Sequence, residues 1–364
     1  MNKLKLAIIG QGRSGRNIHG AFLKNENNVY FDVVAVVEAD AQRRARALEE
    51  YPGCEVYVDY KELFNRTDLD LVVNASFSNM HYRITKDLLE HKFNVVVEKP
   101  FARTSYECND LIATAKANGV MLTVFHQSLL SPYHVEPKKF IESGKLGEIQ
   151  QISMRFNGLS RRWDWQTLQY RLGGGVYNTG PHPFGFAASF LGFDPEAKVV
   201  FSKLSSNLVS GDADDYAKAI ITAPGKPVID IEVSALDAFC DYNVKVQGSK
   251  GTYQCTSDGY KVKYIPDGAN PEKPVVSGFL ADEEGMPIYC REQLVTCEES
   301  GEFDGDAFDL GTKRYYESVY NHLTTGAPLA VLPEYAAQAI GFIETLHAQN
   351  PMPVKFTVAL DADK

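Results

Sequence analysis

A glycine-rich turn directly after an apolar segment constrains the fold of this chain more than any other feature of its sequence. Leu4–Ile9 predicts a short buried strand, and a helical stretch after the turn ends near Leu23. The turn between them consists of Gly10, Gln11, Gly12, Arg13, Ser14 and Gly15. In this setting the first glycine allows the tight turn, the second lets the backbone approach a pyrophosphate, and the third lets helix and strand pack closely. We therefore expect these six residues to bind a dinucleotide at the helix N-terminus.

The rest of the first third alternates short apolar segments with longer helical ones. The predicted strands are Phe31–Val37, Leu69–Ala75, Asn94–Val97 and Val120–Phe125. The predicted helices are Ala41–Tyr51, His81–His91 and Ser105–Asn118. Such alternation is typical of βαβ units and a parallel sheet, so we expect an α/β fold with a Rossmann dinucleotide-binding domain over residues 1–128.

The pattern changes near Glu148, where strand-like segments follow one another closely and are separated by turn sequences. We expect residues 129–364 to form an α+β domain with a large, mostly antiparallel open sheet that serves substrate binding and oligomerisation. Helices are predicted near Pro181–Leu191, Phe308–Thr324 and Pro333–Gln349, and the acidic stretch Ala281–Asp306 is expected to be a surface excursion.

Length and composition exclude several classes of protein. A chain of 364 residues suits two domains, and its formal net charge of −10, without a cluster of Lys and Arg, argues against a nucleic-acid partner. No stretch approaches the about 18 apolar residues of a membrane span. The six cysteines are scattered and form no CxxC pair, which indicates reduced thiols and no zinc site. We expect a cytoplasmic protein without a metal or membrane partner.

The end of the second predicted strand bears on the choice of cofactor. A carboxylate at Glu38 can accept hydrogen bonds from the adenine ribose and would repel a 2′-phosphate, which favours NAD over NADP. Arg43 and Arg44 lie close by in sequence and weaken this preference, although we expect them to face solvent on the next helix.

Three further segments carry a family resemblance. One is Glu98-Lys99-Pro100, after the strand Asn94–Val97. A second is the loop Ala75-Ser76-Phe77-Ser78-Asn79-Met80-His81. The third is Gly173-Gly174-Gly175-Val176-Tyr177-Asn178-Thr179-Gly180-Pro181-His182. Together they closely resemble the Gfo/Idh/MocA oxidoreductases, which include glucose–fructose oxidoreductase and inositol dehydrogenase. The resemblance covers essentially the whole chain and is specific in its first 190 residues.

The resemblance implies roles for individual residues. Lys99 matches a lysine that sits near the nicotinamide and contacts the reacting oxygen, and His182 matches a histidine that exchanges a proton with the substrate hydroxyl. Pro100 matches a proline that can follow a cis bond. The remaining matches line the cofactor, and they are Ser76, Asn79, His81, Glu98 and Gln127.

Two positions depart from the family. The usual acids four residues before the histidine and three after it are here Asn178 and Gly185. An amide cannot take a proton, but it can hold a substrate hydroxyl, so proton transfer would rest more heavily on His182. Trp163, Trp165 and Tyr177 are further candidates for substrate contact, with Tyr170 and Arg171 at the same mouth. Simple packing of the tryptophans explains their presence equally well.

The expected activity is NAD-dependent oxidation of a secondary hydroxyl on a sugar, polyol or glycoside, with C3 of a glycoside as one specific case. An alternative is an NAD-dependent glycosidase that oxidises C3 transiently and recycles its cofactor. A second alternative is a non-catalytic NAD-binding sensor. The histidine and lysine could each be ordinary loop residues; it is their joint occurrence with the dinucleotide turn that favours catalysis. Relatives suggest a homodimer or homotetramer.

Overall fold

A computed structural model describes residues 2–26 and 28–357 of the chain. The outer ends of the two expected domains, residues 1 and 364, lie outside these ranges. The described residues form two sheets, and the chain passes from the first to the second between Phe125 and Ile149. The division expected between residues 128 and 129 falls in this stretch.

The first sheet has six strands in the order β3-β2-β1-β4-β5-β6, and all of its pairings are parallel. Its strands are β1 (Leu4–Ile9), β2 (Phe31–Val37), β3 (Glu55–Tyr57), β4 (Leu71–Asn74), β5 (Val95–Glu98) and β6 (Leu122–Phe125). The strand order reverses direction between β1 and β4. In open parallel sheets, ligands bind outside the carboxyl ends of the strands at such a point.

The second sheet has eight strands in the order β14-β13-β12-β11-β7-β10-β9-β8. Its strands are β7 (Ile149–Asn157), β8 (Lys198–Ser205), β9 (Tyr216–Thr222), β10 (Val228–Ser234), β11 (Val244–Gly248), β12 (Gly251–Cys255), β13 (Gly259–Tyr264) and β14 (Cys297–Glu302). Among the described strands of this second sheet, only the pairing of β7 with β10 is parallel. The expected α/β architecture with a mostly antiparallel second sheet is therefore confirmed.

Nine α-helices accompany the sheets in the described part of the chain. They are α1 (Gly20–Leu23), α2 (Ala41–Glu50), α3 (His81–Glu90), α4 (Ser105–Asn118), α5 (Pro132–Glu142), α6 (Gly175–Asn178), α7 (Pro181–Phe190), α8 (Ala307–Thr325) and α9 (Pro333–Gln349). Arg13–His19 forms a π-helical turn before α1. Short 3-10 turns cover Tyr60–Asn65, Ser78–Met80, Gln127–Leu130, Trp165–Thr167 and Gln169–Arg171.

Several elements were not predicted from the sequence, among them β3, β13 and α6, and two of them, α5 and β14, run against local sequence preference. The helix α5 was not expected, since it contains Pro137 in addition to Pro132 at its start, and an internal proline argues against a helix. The stretch 281–306 lies at the surface as expected, but within it Cys297–Glu302 forms the strand β14, which was not predicted. This strand lies at the edge of the sheet and pairs only with β13, so its sequence lacks the apolar alternation of a half-buried strand.

The last two helices return to the first sheet. In α9 the Glu344 carboxylate accepts a 2.7 Å hydrogen bond from Ser105 Oγ at the start of α4. The backbone oxygen of Val331, just before α9, accepts one from Thr123 Oγ1 in β6 at 2.7 Å. Residues distant in sequence thus pack against the strands whose carboxyl ends carry the predicted site.

Candidate active site

The glycine-rich turn after β1 has the geometry that a dinucleotide requires. Gly10 has φ +91°, and a Cβ there would lie 2.5 Å from the Ala75 backbone oxygen. A Cβ on Gly15 would lie 1.9 Å from the Gly10 oxygen, so the first helix and strand can approach only without it. No heavy atom lies within 4 Å of the position of a Cβ on Gly12, which leaves its backbone open to a phosphate. These residues fit the expected NAD.

An open cleft of about 700 Å³ adjoins this turn. It is lined by Gln11, Gly12, Arg13, Arg16, Asn17, Ile18, Arg43, Arg46 and Phe308. Ser14 lies within the π-helical turn that starts at Arg13. The cleft combines open backbone with four guanidinium groups, a chemistry suited to the phosphates of a dinucleotide.

Glu38 lies at the end of β2, next to the glycine-rich turn. Its carboxylate accepts hydrogen bonds from the backbone N–H of Gln11 at 2.8 Å and of Asp40 at 3.0 Å. Arg43 Nη1 is 3.7 Å from Glu38 Oε2, and Arg44 Nη1 donates to the Glu38 backbone oxygen at 2.6 Å. The two arginines therefore contact Glu38 instead of simply facing solvent, as the sequence had suggested.

The loops after β4 and β5 are tied together by His81. This buried ring lies with Nδ1 2.7 Å from the Pro100 oxygen and Nε2 3.2 Å from the Ser76 oxygen. Burial lowers the pKa of His81 from its ordinary value. Ser76 Oγ donates to Asn74 Oδ1 at 2.7 Å, and Asn79 lies in the adjacent 3-10 turn. The expected cofactor residues Ser76, Asn79 and His81 thus share one edge of the first sheet.

Lys99 follows β5 and reaches across to the second half of the chain. Its Nζ donates a 2.8 Å hydrogen bond to the backbone oxygen of Asn178, at the end of α6. Burial lowers the pKa of Lys99, and the neighbouring Glu98 carboxylate opposes this fall. The bond between Lys99 and Pro100 is cis. Glu98 is only 2% exposed, so its side chain lies behind Lys99 and not in open cleft.

His182 is the second residue of α7, immediately after the glycine-rich run. Its Nδ1 lies 2.8 Å from Ser128 Oγ, which leaves Nε2 for other contacts. Burial first, and then the charge of Lys99, holds the pKa of His182 well below its ordinary 6.5. A neutral imidazole beside an ammonium group can accept a proton from a hydroxyl while the cation stabilises the resulting oxyanion.

The His126 ring leaves no space for an acidic side chain at position 185. A Cβ on Gly185 would lie 2.1 Å from His126 Cε1, so the histidine ring occupies the space of any side chain there. The His126 and His182 rings are 5.5 Å apart between centroids, and burial lowers the pKa of His126 to about 3. Sequence reasoning missed both His126 and Ser128, although their position directly after β6 would have placed them at the same sheet edge. Gln127, between them, is buried.

Asp214 is a further residue that the sequence reasoning missed. It accepts a 2.8 Å hydrogen bond from the Val176 backbone N–H, and its Oδ1 is buried without a hydrogen-bond partner among the described residues. Burial raises the pKa of this carboxyl to about 7. A Cβ on Gly174, which has φ +106°, would lie 2.2 Å from Asp214 Oδ1, so the glycine run packs directly on this acid.

The predicted substrate residues lie in different environments. Asn178 Oδ1 accepts from Gln166 Nε2 at 2.9 Å, so this amide oxygen is already engaged. Tyr177 is buried, and its hydroxyl donates to the Arg103 oxygen at 2.8 Å. Trp165 packs edge-on against Phe77 at 5.1 Å between centroids, whereas Trp163 is 77% exposed.

Side chains from both halves of the chain meet beside the loop after β4. The Arg171 guanidinium lies 4.7 Å from the centroid of the Phe77 ring, on the face of the loop after β4. The backbone oxygen of Tyr170 accepts a 3.0 Å hydrogen bond from Arg103 Nη2. Trp165, Arg171 and Tyr170 therefore lie together at the boundary with the first sheet.

The described residues contain neither a cluster of metal-binding side chains nor a membrane-spanning helix. Within residues 2–26 and 28–357, no group of three or more His, Cys, Asp or Glu side chains is placed to hold a metal ion. In the same part of the chain, no helix is both long and apolar enough to cross a membrane.

Comparison with known proteins matches both halves of the chain. Residues 4–126 match a family model described as an oxidoreductase family with an NAD-binding Rossmann fold. Residues 134–254 match the Gfo/Idh/MocA C-terminal domain. Among curated relatives, the uncharacterized oxidoreductase YhhX of Escherichia coli is 26% identical over 333 residues, which are 89% of this chain and 90% of the relative. Inositol 2-dehydrogenase of Salmonella paratyphi B is 26% identical over 251 residues, covering 68% and 72%.

A solved structure supports the same fold. An NAD-binding protein from Listeria innocua superposes with a TM-score of 0.78 at 21% identity, covering 96% of this chain and 98% of the other. At this level of identity the likeness establishes the arrangement of strands and helices alone.

Proposed function

The chain belongs to the Gfo/Idh/MocA oxidoreductase family, and from this premise we propose that it oxidises a secondary hydroxyl group of a sugar, polyol or glycoside with NAD⁺. The observation that carries the proposal is the 2.8 Å hydrogen bond from Lys99 Nζ to the Asn178 oxygen. Asn178 precedes His182 by four residues in the chain, and Lys99 follows β5 at the edge of the sheet where the dinucleotide turn lies, so this contact supports a shared site for the two side chains.

His182 acts as the general base. With its pKa held below 6.5 by burial and by the charge of Lys99, the ring is neutral at pH 7. A base at Nε2 requires the proton on Nδ1, which then donates to Ser128 Oγ 2.8 Å away. The Ser128 hydroxyl therefore supports the tautomer that accepts the substrate proton.

Lys99 stabilises the negative charge that develops on the substrate oxygen. A half-buried ammonium group acts more strongly on an oxyanion than one in bulk water, because the local dielectric is lower. Bound NAD⁺ supplies the acceptor for the carbinol hydride. The glycine-rich turn and the loop Ser76–His81 would orient the dinucleotide. Nothing in this set of residues requires a metal.

The aromatic cluster around Phe77 supports a carbohydrate as substrate. Trp165 packs on Phe77 and the Arg171 guanidinium lies over the same ring, so aromatic and cationic groups meet there, and Trp163, two residues before Trp165 in the chain, is exposed. Aromatic faces combine a large apolar surface with defined geometry, which suits the C–H face of a sugar ring. We include C3 of a glycoside among the candidate positions of oxidation for this reason.

The test begins with the absorbance spectrum of the purified protein, to detect bound NAD(H), and continues with a 340 nm screen with NAD⁺. Polyols, free sugars and glucosides are tried in turn, with product analysis by mass spectrometry. The matched variants are Lys99→Ala and the exposed Lys116→Ala on α4. We expect NADH formation with one substrate class, abolished only in Lys99→Ala.

Other outcomes separate the alternatives. Consumption of a glucoside without net NADH would replace the dehydrogenase by a glycosidase that recycles its cofactor. NAD binding without turnover of any substrate would leave the sensor. Absence of both binding and turnover would refute the proposal.

A further inference from the structure

Behind Lys99 lies a chain of three buried side chains from three distant segments. His19 ends the π-helical turn after the glycine-rich loop, Glu98 ends β5, and Tyr316 belongs to α8. His19 Nδ1 is 2.7 Å from the Tyr316 hydroxyl, and His19 Nε2 is 3.2 Å from Glu98 Oε1. The second oxygen of Glu98 accepts a 3.0 Å hydrogen bond from the Lys99 backbone N–H. The three residues are almost completely shielded from solvent.

The contact between His19 and Glu98 gives a partner to two buried polar atoms. Neither His19 Nε2 nor Glu98 Oε1 has a well-aligned hydrogen-bond partner among the described residues. The two atoms have each other at ion-pair distance. A buried polar atom left without a partner costs free energy, so a proton between them is the arrangement that satisfies both.

The position of that proton follows from the chemistry of the two neighbours. If a neutral His19 carried its proton on Nδ1, a lone pair on Nε2 would face an ionised carboxylate oxygen. Placing the proton on Nε2 removes this repulsion, and Nδ1 then accepts the hydroxyl proton of Tyr316. Burial raises the pKa of Tyr316 well above its ordinary 10, so its hydroxyl remains a donor.

Tyr316 is held in place by packing. Its ring stacks on Phe22 at 4.9 Å between centroids with an interplanar angle of 6°. Phe31 contacts it at 5.6 Å and Phe125 at 6.1 Å. Aromatic packing of this density fixes the direction of the hydroxyl toward His19.

Glu98 is the charged group that opposes the loss of the proton from Lys99. The His19 contact and the charges of Lys99 and His81 lower the pKa of Glu98 against the opposing effect of burial. Burial, with a smaller contribution from the charge of Glu98, raises the pKa of Tyr315 of α8, whose hydroxyl bonds to Thr123 and not to this carboxylate. The charged and titratable groups that act on Lys99 are Glu98, Arg13 and Arg162, and Lys99 in turn acts on His126 and His182.

We propose that His19 and Tyr316 are positioning residues that keep Glu98 ionised and oriented, and that Glu98 thereby keeps Lys99 protonated for oxyanion stabilisation. We call the three side chains of His19, Glu98 and Tyr316 the relay. Its effect on catalysis rests on the proposed function, because it acts through Lys99. Its effect on the pKa of Lys99 does not rest on that function, because the charge of Lys99 can be measured without a substrate. The relay also joins the helix that follows the dinucleotide turn to the lysine that would face the substrate.

Loss of the His19 side chain is expected to lower the pKa of Lys99. Loss of the Nε2 proton donor raises the pKa of the buried Glu98, so less negative charge supports Lys99 and the pKa of Lys99 falls. A nearby opposite charge shifts a pKa by about one to three units, which is the upper limit of the effect here, so His19→Leu should lower the pKa of Lys99 by up to about that amount. His19→Gln retains an N–H donor and should restore much of the difference.

Three measurements test the relay. Competitive acetylation of the full chain across pH, followed by peptide mass spectrometry, gives the pKa of Lys99 without substrate or cofactor. The ¹⁵N chemical shifts of the His19 ring identify its tautomer, with His19→Gln assigning the signals. The pH profile of kcat/KM should lose its alkaline side at lower pH in His19→Leu and, to a smaller extent, in Tyr316→Phe.

Tyr315→Phe is the matched control. It removes a buried hydroxyl from the neighbouring position of α8, where Tyr315 bonds to Thr123 Oγ1 at 3.3 Å. We expect no change in the pKa of Lys99 in this variant. If His19→Leu fails to fold, Tyr316→Phe, which loses a single oxygen, carries the test.

An unchanged pKa of Lys99 in folded His19→Leu or Tyr316→Phe, or a His19 ring protonated only on Nδ1, would overturn the relay. A shifted pKa of Lys99 in a protein that oxidises no substrate would leave the relay standing and refute the proposed function instead.

Discussion

Removal of the Ser128 hydroxyl should weaken catalysis without weakening substrate binding. Ser128 Oγ is 2.8 Å from His182 Nδ1, and Ser128 is fully buried. In Ser128→Ala the Nδ1 proton loses its acceptor, so the imidazole is free to carry its proton on Nε2, where it cannot act as a base. The substitution therefore changes the rate only by lowering the fraction of His182 that is protonated on Nδ1.

The expected fall in kcat follows from the free energy that one hydrogen bond contributes. A typical buried hydrogen bond contributes about 0.5–1.5 kcal/mol, and each about 1.4 kcal/mol corresponds to a tenfold change in rate. We expect kcat to fall about two- to tenfold with KM nearly unchanged. His182→Ala removes the base itself and should cost about 10²- to 10⁴-fold, the range measured for general acid–base catalysis.

The assay is steady-state NADH formation at saturating NAD⁺ with the substrate found in the screen. Ser131→Ala is the matched control, since it also removes a buried hydroxyl close by, one that bonds to the Ala307 oxygen at 2.8 Å and not to His182. Full activity in Ser128→Ala would refute the assigned tautomer. A loss as large as that in His182→Ala would show that Ser128 does more than orient the ring.

Three further changes test other parts of the structure. Glu38→Ser removes the carboxylate that would repel a 2′-phosphate, so kcat/KM with NADP should rise relative to that with NAD in parallel assays; an unchanged ratio would contradict this role. Gly185→Ala should lower the free energy of unfolding by about 1–3 kcal/mol, because its Cβ would lie 2.1 Å from His126 Cε1. Gly341→Ala, with no atom within 4 Å of the new Cβ, should not be destabilising in the same thermal melts. Asp214 has a pKa raised by burial to about 7, so its contribution to stability is present at low pH and lost as pH rises toward 7. Urea unfolding should show wild type losing stability relative to Asp214→Asn between pH 4 and pH 7, and a difference independent of pH would refute the shifted pKa.

The dinucleotide turn shows what a local pattern can predict. The requirements on Gly10 and Gly15 are steric, and they arise between atoms of one strand–turn–helix unit and the neighbouring strand. The three glycines sit where the sequence placed them, and the strand that precedes them has the expected bounds. The helix α9 was equally predictable, because its apolar positions recur with helical spacing over Pro333–Gln349.

Other parts of the molecule could not be obtained in this way. The helix α5 contains Pro137, and the edge strand β14 has a polar sequence, so local preference argued against both. Their formation depends on neighbours that are remote in the chain, such as the strand β13 that pairs with β14. Tertiary contacts override weak local propensities in such segments.

The fold class and the dinucleotide turn could be read from the sequence, because they depend on a short motif and on the period of apolar residues, and the family resemblance named Lys99 and His182 as the candidate pair. Only the tertiary structure decided that Asn178 holds Lys99 through a backbone oxygen, that His126 fills the space at Gly185, and that Tyr316 reaches Glu98 through His19. The physical reason is that hydrogen-bond partners and steric exclusion depend on distance in space. Segments far apart along the chain meet at these points only after both sheets have formed.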